Sequence, residues 1–292
     1  MTVKRSFIPG SEWLYIKLYT GIKTADTLLE EAILPLSQYF QENNFILKWF
    51  FIRYTDSKPH LRIRFHLKKQ EYYPLVFDSI NKAVYPYFYS GEISNIQLET
   101  YSREMERYGE ETIEYAEYLF HRNSELTLDC LHFNDVEKIM ISLFYIDNLL
   151  TQIKLTTAEK LHWIKGYDNS FKEEFNADRK LNQQLDKKYR RFYSNFSVFL
   201  QSSEFTDVRN LILENLTFSK TALQNIRKAY DKNSMSTPLQ YFIQSIFHMA
   251  INRLFTSQQR LFEMVIYDYL HRYYKTKFYL DSNKHSVNNF ID

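Results

Sequence analysis
Glycine and proline are scarce: 5 Gly and 6 Pro in 292 residues leave few breaks, so long regular elements are expected rather than loop-rich structure. No Pro/Gly/Ser-rich tract, low-complexity segment or internal repeat marks a linker, so residues 1–292 are expected to form one domain, with a β-rich part over about 1–105 and a helical part over about 110–280. The lone cysteine, Cys130, excludes an internal disulfide. With no cationic leader ahead of an apolar run, a reducing cytoplasm is the expected compartment. Apolar runs are broken by charge well short of the roughly 20 residues needed to cross a bilayer. Net charge is also slight, at +2, too little to suggest nucleic-acid binding without a clustered basic face. What the chain does have is aromatic side chains, 24 Tyr and 24 Phe. They supply buried area with polar tips, but composition alone assigns them no function.

Local patterning predicts an α+β fold, with a small, mainly antiparallel sheet in the N-terminal part packed with a large helical C-terminal part. Leu14, Ile16 and Leu18 alternate with Tyr15 and Lys17, the mark of a half-buried strand. Residues 24–41 read as a helix, with acids near its start and Leu28, Leu29, Ile33 and Leu36 on one face. Strands at 47–54 and 60–67, joined by Thr-Asp-Ser-Lys-Pro, read as a hairpin. A helix near 71–85 and a strand near 96–101 follow. Beyond residue 110 the periodicity is helical, with segments expected at 110–121, 134–150, 157–165, 171–200, 207–230, 238–255 and 258–274.

The segment Pro59-His-Leu-Arg-Ile-Arg-Phe-His-Leu67 sorts by alternation into two faces. Leu61, Ile63, Phe65 and Leu67 point one way. His60, Arg62, Arg64 and His66 point the other, with the arginines about 6.5 Å apart along the strand. A row of donors that includes two rigid guanidinium forks suits carboxylates or phosphates. The ordinary alternative is a solvated outer face of an antiparallel sheet.

Two further groups can carry chemistry. In Tyr101-Ser-Arg-Glu-Met-Glu-Arg-Tyr-Gly109 a helical turn would set Glu104 and Arg107 at i,i+3, close enough for the carboxylate to orient the guanidinium, with Gly109 ending the turn. In the helix starting near Pro238, His248 and Asn252 are i,i+4 neighbours beside the apolar stripe of Phe247, Ile251 and Leu254. An imidazole there suits proton transfer near neutral pH, although a satisfied core histidine is the commoner use. Gly-rich phosphate loops, Cys-x-x-Cys, His-Glu-x-x-His and Gly-x-Ser-x-Gly are absent, so no cofactor and no metal is expected. Cys130, His121 and His132 are close in sequence, but their spacing fits no standard metal site.

These segments together carry a resemblance. Arg53-Tyr-Thr-Asp with Pro-His-Leu-Arg-Ile-Arg-Phe-His, Tyr101-Ser-Arg-Glu-Met-Glu-Arg-Tyr-Gly, His248-Met-Ala-Ile-Asn-Arg-Leu and the opening Pro9-Gly-Ser-Glu-Trp-Leu-Tyr-Ile-Lys-Leu-Tyr-Thr-Gly21 resemble, in order, the C-terminal domain of lantibiotic dehydratases, the thiopeptide-type bacteriocin biosynthesis domain. The resemblance implies a lyase of antibiotic biosynthesis. A partner transfers glutamate from glutamyl-tRNA to Ser or Thr of a ribosomal precursor peptide, and this domain eliminates it to leave dehydroalanine or dehydrobutyrine. Carried over residue by residue, the family's functional positions fall on Arg62, Arg64, Glu104, Arg107 and His248, with His60, Tyr101, Asn252 and Arg253 in the same motifs as substrate-binding positions. The sequence departs from the family pattern at Glu110, often Gly, and at Asn123, often Asp.

The expected partners are thus a glutamylated precursor peptide and a separate glutamyl-tRNA-dependent glutamylating protein, since the chain begins where the family's elimination domain begins. Direct nucleic-acid contact and a membrane span are not expected, and a homodimer is left open. One rival reading is a pyridine-forming [4+2] cyclase of thiopeptide biosynthesis, from a related branch that joins two dehydroalanines. Another is a non-catalytic subunit that binds the peptide or the partner.

Overall fold
The period-two segments of the N-terminal part form one antiparallel sheet. The computed structural model describes residues 3–288, and its strands are β1 (Ser6–Phe7), β2 (Trp13–Thr20), β3 (Ile46–Thr55), β4 (Pro59–Leu67), β5 (Ile93–Leu98) and β6 (Tyr101–Ser102). Four of them order as β3-β4-β2-β5, and β1 pairs with β6 in a separate two-stranded ladder. Alternation sets the faces as the sequence implies. Leu14, Ile16, Leu18, Leu61, Ile63, Phe65 and Leu67 are buried in a single apolar cluster with Trp49 and Phe51. Helices α1 (Thr24–Leu28), α2 (Leu34–Glu42) and α3 (Tyr73–Tyr89) close that face with Leu28, Phe40, Val76, Ile80 and Val84. About 25 cal/mol per Å² of apolar area removed from water is the force that holds this layer together.

The helix expected over 24–41 is interrupted by a π-helical turn at Leu29–Ile33. Pro35 follows it directly and has no N–H to return to Glu31, so the ladder is re-spaced there. The strand expected at 96–101 divides: residues 93–98 pair with β2, while Tyr101 and Ser102 leave to pair with Phe7 and Ser6. The chain is α+β, as its patterning predicts, but the expected break at 166–170 is absent. Helix α7 runs Thr157–Glu174 through Gly166, and the break falls at Asn176, whose φ of 48° is left-handed, before Asp178 caps the next helix through Leu181 N at 2.7 Å.

The chain groups into two compact units. The first takes the chain up to Phe133 and again Thr221–Ser257, so the helices α4 (Met105–Tyr108), α5 (Ile113–Asp129) and α10 (Leu239–Leu254) belong with the sheet. The second takes Asn134–Lys220 and the chain from Gln258 onward, with α6 (Asp135–Gln152), α7, α8 (Arg179–Gln201), most of α9 (Thr206–Asp231) and α11 (Gln259–Asn288). In this second unit Lys172 bridges two fully buried carboxylates, Asp168 at 2.8 Å and Asp268 at 2.7 Å, which joins α7 to α11. Among the described residues no helix is long and apolar enough to cross a membrane.

Helices α5 and α10 seal the β3 edge of the sheet by side-chain hydrogen bonds. Ser124 Oγ accepts from Phe51 N at 3.3 Å, and His121 Nδ1 lies 3.1 Å from Trp49 O. From α10, Asn252 accepts from Arg53 N and donates to Arg53 O, both at 3.0 Å, while Arg253 Nε donates to Phe51 O at 2.7 Å. An edge strand whose backbone groups are satisfied in this way is fixed in register against both helices.

Candidate functional site
The second face of β4 is covered rather than solvated. Across β2 the register sets Trp13 opposite His66, Tyr15 opposite Arg64, Lys17 opposite Arg62 and Tyr19 opposite His60. Across β3 it sets Phe50 opposite Arg64 and Tyr54 opposite His60. Arg64 is buried at 9% exposure, its guanidinium carbon 4.2 Å from the Tyr15 ring centre, 5.0 Å from Tyr101 and 5.3 Å from Phe50. Those rings attract a cation through their faces, but they accept no proper hydrogen bond. Arg64 Nε is without a hydrogen-bond partner, and among the described residues no carboxylate lies within ion-pair distance of Arg64. Arg62 stacks 3.5 Å over Tyr54 and gives its Nε–H to His60 Nε2 at 3.1 Å, likewise with no carboxylate in reach among the described residues.

The partners of His60 settle its protonation. Its Nδ1 lies 3.1 Å from Lys58 O, which can only accept, and its Nε2 faces the Arg62 Nε–H, which can only donate. His60 is therefore a neutral imidazole with its proton on Nδ1. Burial first, and then the charges of Arg62 and Lys17, hold it below its ordinary pKa, against the pull of the Lys58 carbonyl and Asp56. His66, stacked on Trp13 with ring centres 4.6 Å apart, is pushed down to about 4 by burial and by Lys48. His121 is pushed down to about 3 by burial and by Arg122.

A consequence for stability follows from these two buried imidazoles. Between pH 6.5 and about 4 the unfolded chain takes up protons that folded His66 refuses, so stability is expected to fall as pH falls through that window. Urea unfolding at pH 7 and pH 5 should show a lower midpoint at pH 5, and His66→Gln should flatten part of the difference. An unchanged pH dependence in that variant would mean that His66 titrates freely.

Beside Arg64 lies a buried ionic network that sequence spacing does not announce. Glu117, on α5 and fully buried, accepts from the Tyr101 hydroxyl at 2.8 Å, from Arg103 Nε at 2.7 Å and Nη2 at 2.9 Å, and from Lys48 Nζ at 2.7 Å. Burial alone would raise its carboxyl, but Arg103 and Lys48 outweigh burial and hold it below the usual carboxylate range. Lys48 comes from β3, Tyr101 from β6, and Arg103 from the residues just before α4.

Glu104 caps α4 and lies 3.4 Å from Arg107 Nε, as i,i+3 spacing predicts, with both side chains about half exposed. Gly109 ends that helix at φ 72°, where a Cβ would come within 3.1 Å of Ser236 Oγ and Thr112 Oγ1. Thr237 Oγ1 donates to Glu106 O at 3.3 Å and ties α4 to the lead-in of α10. Glu104 and Arg107 share an open cleft of about 570 Å³ with Ser236, Thr237, Tyr241 and Ser245.

The sequence-predicted positions thus fall into three places. His60, Arg62 and Arg64 share the covered sheet face, with Tyr101 over Arg64. Glu104 and Arg107 line the α4–α10 cleft, whose lining does not include Arg62, Arg64 or His248. His248, half-buried, follows Tyr241 and Ser245 and precedes Asn252 on one face of α10, a face that runs from the cleft to the β3 edge. Aromatic contacts bridge the first two places: Phe50, beside Arg64, meets Phe120 at 5.4 Å, and Phe120 meets Tyr108, the neighbour of Arg107, at 5.2 Å. Asn252, Arg253 and Tyr101 direct polar atoms to protein partners. Arg253 is fully buried, and its Nη1 reaches Asn123 Oδ1 at 3.3 Å, so the departure from the family's Asp at 123 falls on this contact. Lys48, Tyr54, Tyr15 and Glu117 were not singled out by spacing. Among the described residues no group of three His, Cys, Asp or Glu side chains is arranged to hold a metal.

Against known proteins, the family model described as lantibiotic biosynthesis dehydratase C-term matches residues 13–274. The chain belongs to this family. It is 27% identical over 266 residues to the subtilin biosynthesis protein SpaB of Bacillus subtilis, covering 87% of this chain and 25% of SpaB. The chain therefore spans about a quarter of that relative's length. Among solved structures it resembles the tRNA-dependent lantibiotic dehydratase MibB from Microbispora sp. 107891, with a TM-score of 0.66 and 19% identity over 90% of this chain and 28% of MibB. It also resembles the pyridine synthase TbtD from thiomuracin biosynthesis, with a TM-score of 0.60 and 14% identity over 91% of this chain and all of TbtD. At these identities the two structures establish a common fold. Membership of the dehydratase C-terminal family rests on the sequence match.

Proposed function
We propose that this chain is an elimination enzyme of lanthipeptide or thiopeptide biosynthesis, a lyase that removes glutamate from glutamylated Ser or Thr of a precursor peptide. The observation that carries the reading is the pair Arg62 and Arg64, neighbours on one face of β4 and without a carboxylate in reach among the described residues. A buried guanidinium with no counter-charge is costly unless an anion completes it. The substrate class brings carboxylates, and the reaction releases another.

The chemistry balances without a cofactor. A base takes the Cα proton of the modified residue, the Cα–H electron pair becomes the Cα=Cβ bond, and the Cβ–O bond breaks to release glutamate with its carboxylate charge. Under this reading Arg62, Arg64 and Arg107 hold the glutamyl carboxylate and the developing negative charge. Glu104 orients Arg107, and His248 transfers the proton. Glutamylation is assigned to a separate glutamyl-tRNA-dependent protein, and the lone Cys130 fits a cytoplasmic setting.

Mass spectrometry of a pre-glutamylated peptide incubated with the protein tests the reading, because each turnover removes one whole glutamate. His248→Ala is expected to lower the rate by about 10²–10⁴-fold, the usual worth of a positioned proton-transfer group. Undiminished elimination by that variant removes His248 from the role. A second reading draws on the fold shared with TbtD along that chain's whole length. A pyridine-forming cyclase would join two dehydroalanines and release no glutamate, so turnover of a dehydroalanine-rich, glutamate-free peptide alone would reverse the proposal.

A further inference from the structure
We infer that Glu117 is a positioning residue for the arginine set, acting through Tyr101 on Arg64 and through Arg103 on the segment that carries Arg107; the inference rests on the proposed elimination reading for its effect on rate.

The argument begins with what holds Arg64. Its three neighbours are rings, and rings set a guanidinium's plane and depth without fixing it by directed bonds. Tyr15 and Phe50 sit in the sheet, on the strands that flank β4, so the register fixes them. Tyr101 has no such support. It belongs to the two-residue strand β6, paired only with β1, and must be held in place by its side chain. Its hydroxyl, 2.8 Å from Glu117 Oε1, is that restraint, and the ring also packs edge-on against Trp13 at 4.9 Å.

The same carboxylate reaches the other arm of the site. Arg103 donates twice to Glu117, and its Nη1 and backbone N–H bind the carbonyls of Lys4 and Arg5 at 3.1 and 2.8 Å. Residue 104 follows at once as the cap of α4, so the anchor on Arg103 sets where Glu104 and Arg107 begin. Lys48, the third partner of Glu117, has its charge answered by the same group. Arg62 and Arg64 are thereby left as the cations of this face whose charge is available to a bound anion. A carboxylate at 117 neutralises the neighbours and orders the walls without touching the substrate itself.

The test separates positioning from a general loss of structure. Tyr101→Leu removes the ring and Tyr101→Phe removes only the bond to Glu117, and each is combined with Arg64→Lys in a double-mutant cycle on glutamate release. If Tyr101 acts through Arg64, Tyr101→Leu lowers kcat about tenfold or more in the wild-type background and has little further effect once Arg64 is Lys. Tyr101→Phe should lie between wild type and Tyr101→Leu. Full multiplication of the two single effects in the double variant overturns the inference. Arginine side-chain ¹H–¹⁵N spectra provide a readout that needs no turnover. The Arg64 Nε–H signal, identified by its loss in Arg64→Lys, should move in both Tyr101 variants and in Glu117→Gln, while the Arg62 signal stays in place. An Arg64 signal unmoved by Tyr101→Leu overturns the positioning role, whereas a wild-type protein that releases no glutamate overturns the elimination reading and leaves the spectral result standing.

Discussion

Arg64→Met is expected to abolish glutamate release while leaving the fold as stable as before or more so. The two directions follow from one fact, that Arg64 is buried among rings with no carboxylate partner among the described residues. Replacing a buried charge by an apolar chain of similar length relieves desolvation, and such replacements are often neutral or stabilising by about 1–4 kcal/mol. Losing a donor aimed at developing negative charge typically costs about 10²–10³ in kcat. Arg64→Lys should also fall far below wild type, because an ammonium keeps the charge but lacks the planar fork and its fit between Tyr15 and Tyr101. Urea melts paired with elimination assays read both quantities on the same preparations. Parallel loss of stability and activity in Arg64→Met would make the arginine a structural residue and remove the main support for the elimination reading.

Glu117→Ala is expected to have the opposite signature, a large loss of stability. The substitution strands Arg103, at 3% exposure, and Lys48 beside it with no answering charge, and breaking one partner out of a buried ion pair costs about 3–5 kcal/mol. Since the folded carboxyl titrates below its ordinary range, its contribution is complete above the ordinary value of 4.5 and is lost as pH falls through the folded value. Wild-type and Glu117→Ala unfolding curves should therefore be far apart at pH 7 and draw together in acid. A loss under about 1 kcal/mol at pH 7 would mean that water reaches the network and screens it.

The sheet was legible in the sequence because an antiparallel strand with one buried face writes its geometry in period two. Residues 59–67 show both faces and both arginines in the order the structure confirms. The Glu104–Arg107 turn was legible for the same reason, since i,i+3 spacing is local. The Glu117 network was not. Lys48 and Glu117 lie 69 residues apart, and a glutamate on a helix looks like any solvated one until the fold brings two cations to it. Two-residue strands such as β1 and β6 are too short to carry a period, so the departure of Tyr101 from the main sheet had no local signal. The covering of the arginine face was hidden likewise, because the alternation that exposes a face says nothing of the rings that later close over it.

The sealing of β3 by Ser124, Asn252 and Arg253 has a bearing on how a peptide can be held. An extended chain often docks by adding itself as one more strand along a free edge, reading only backbone. On the β3 side that mode is closed, because the amides and carbonyls it would recruit already belong to two helices. A peptide approaching from there has to be gripped by its side chains and its modifications. Such a grip sorts substrates by chemical decoration, and a length of unmodified backbone has nothing on that border to zip against.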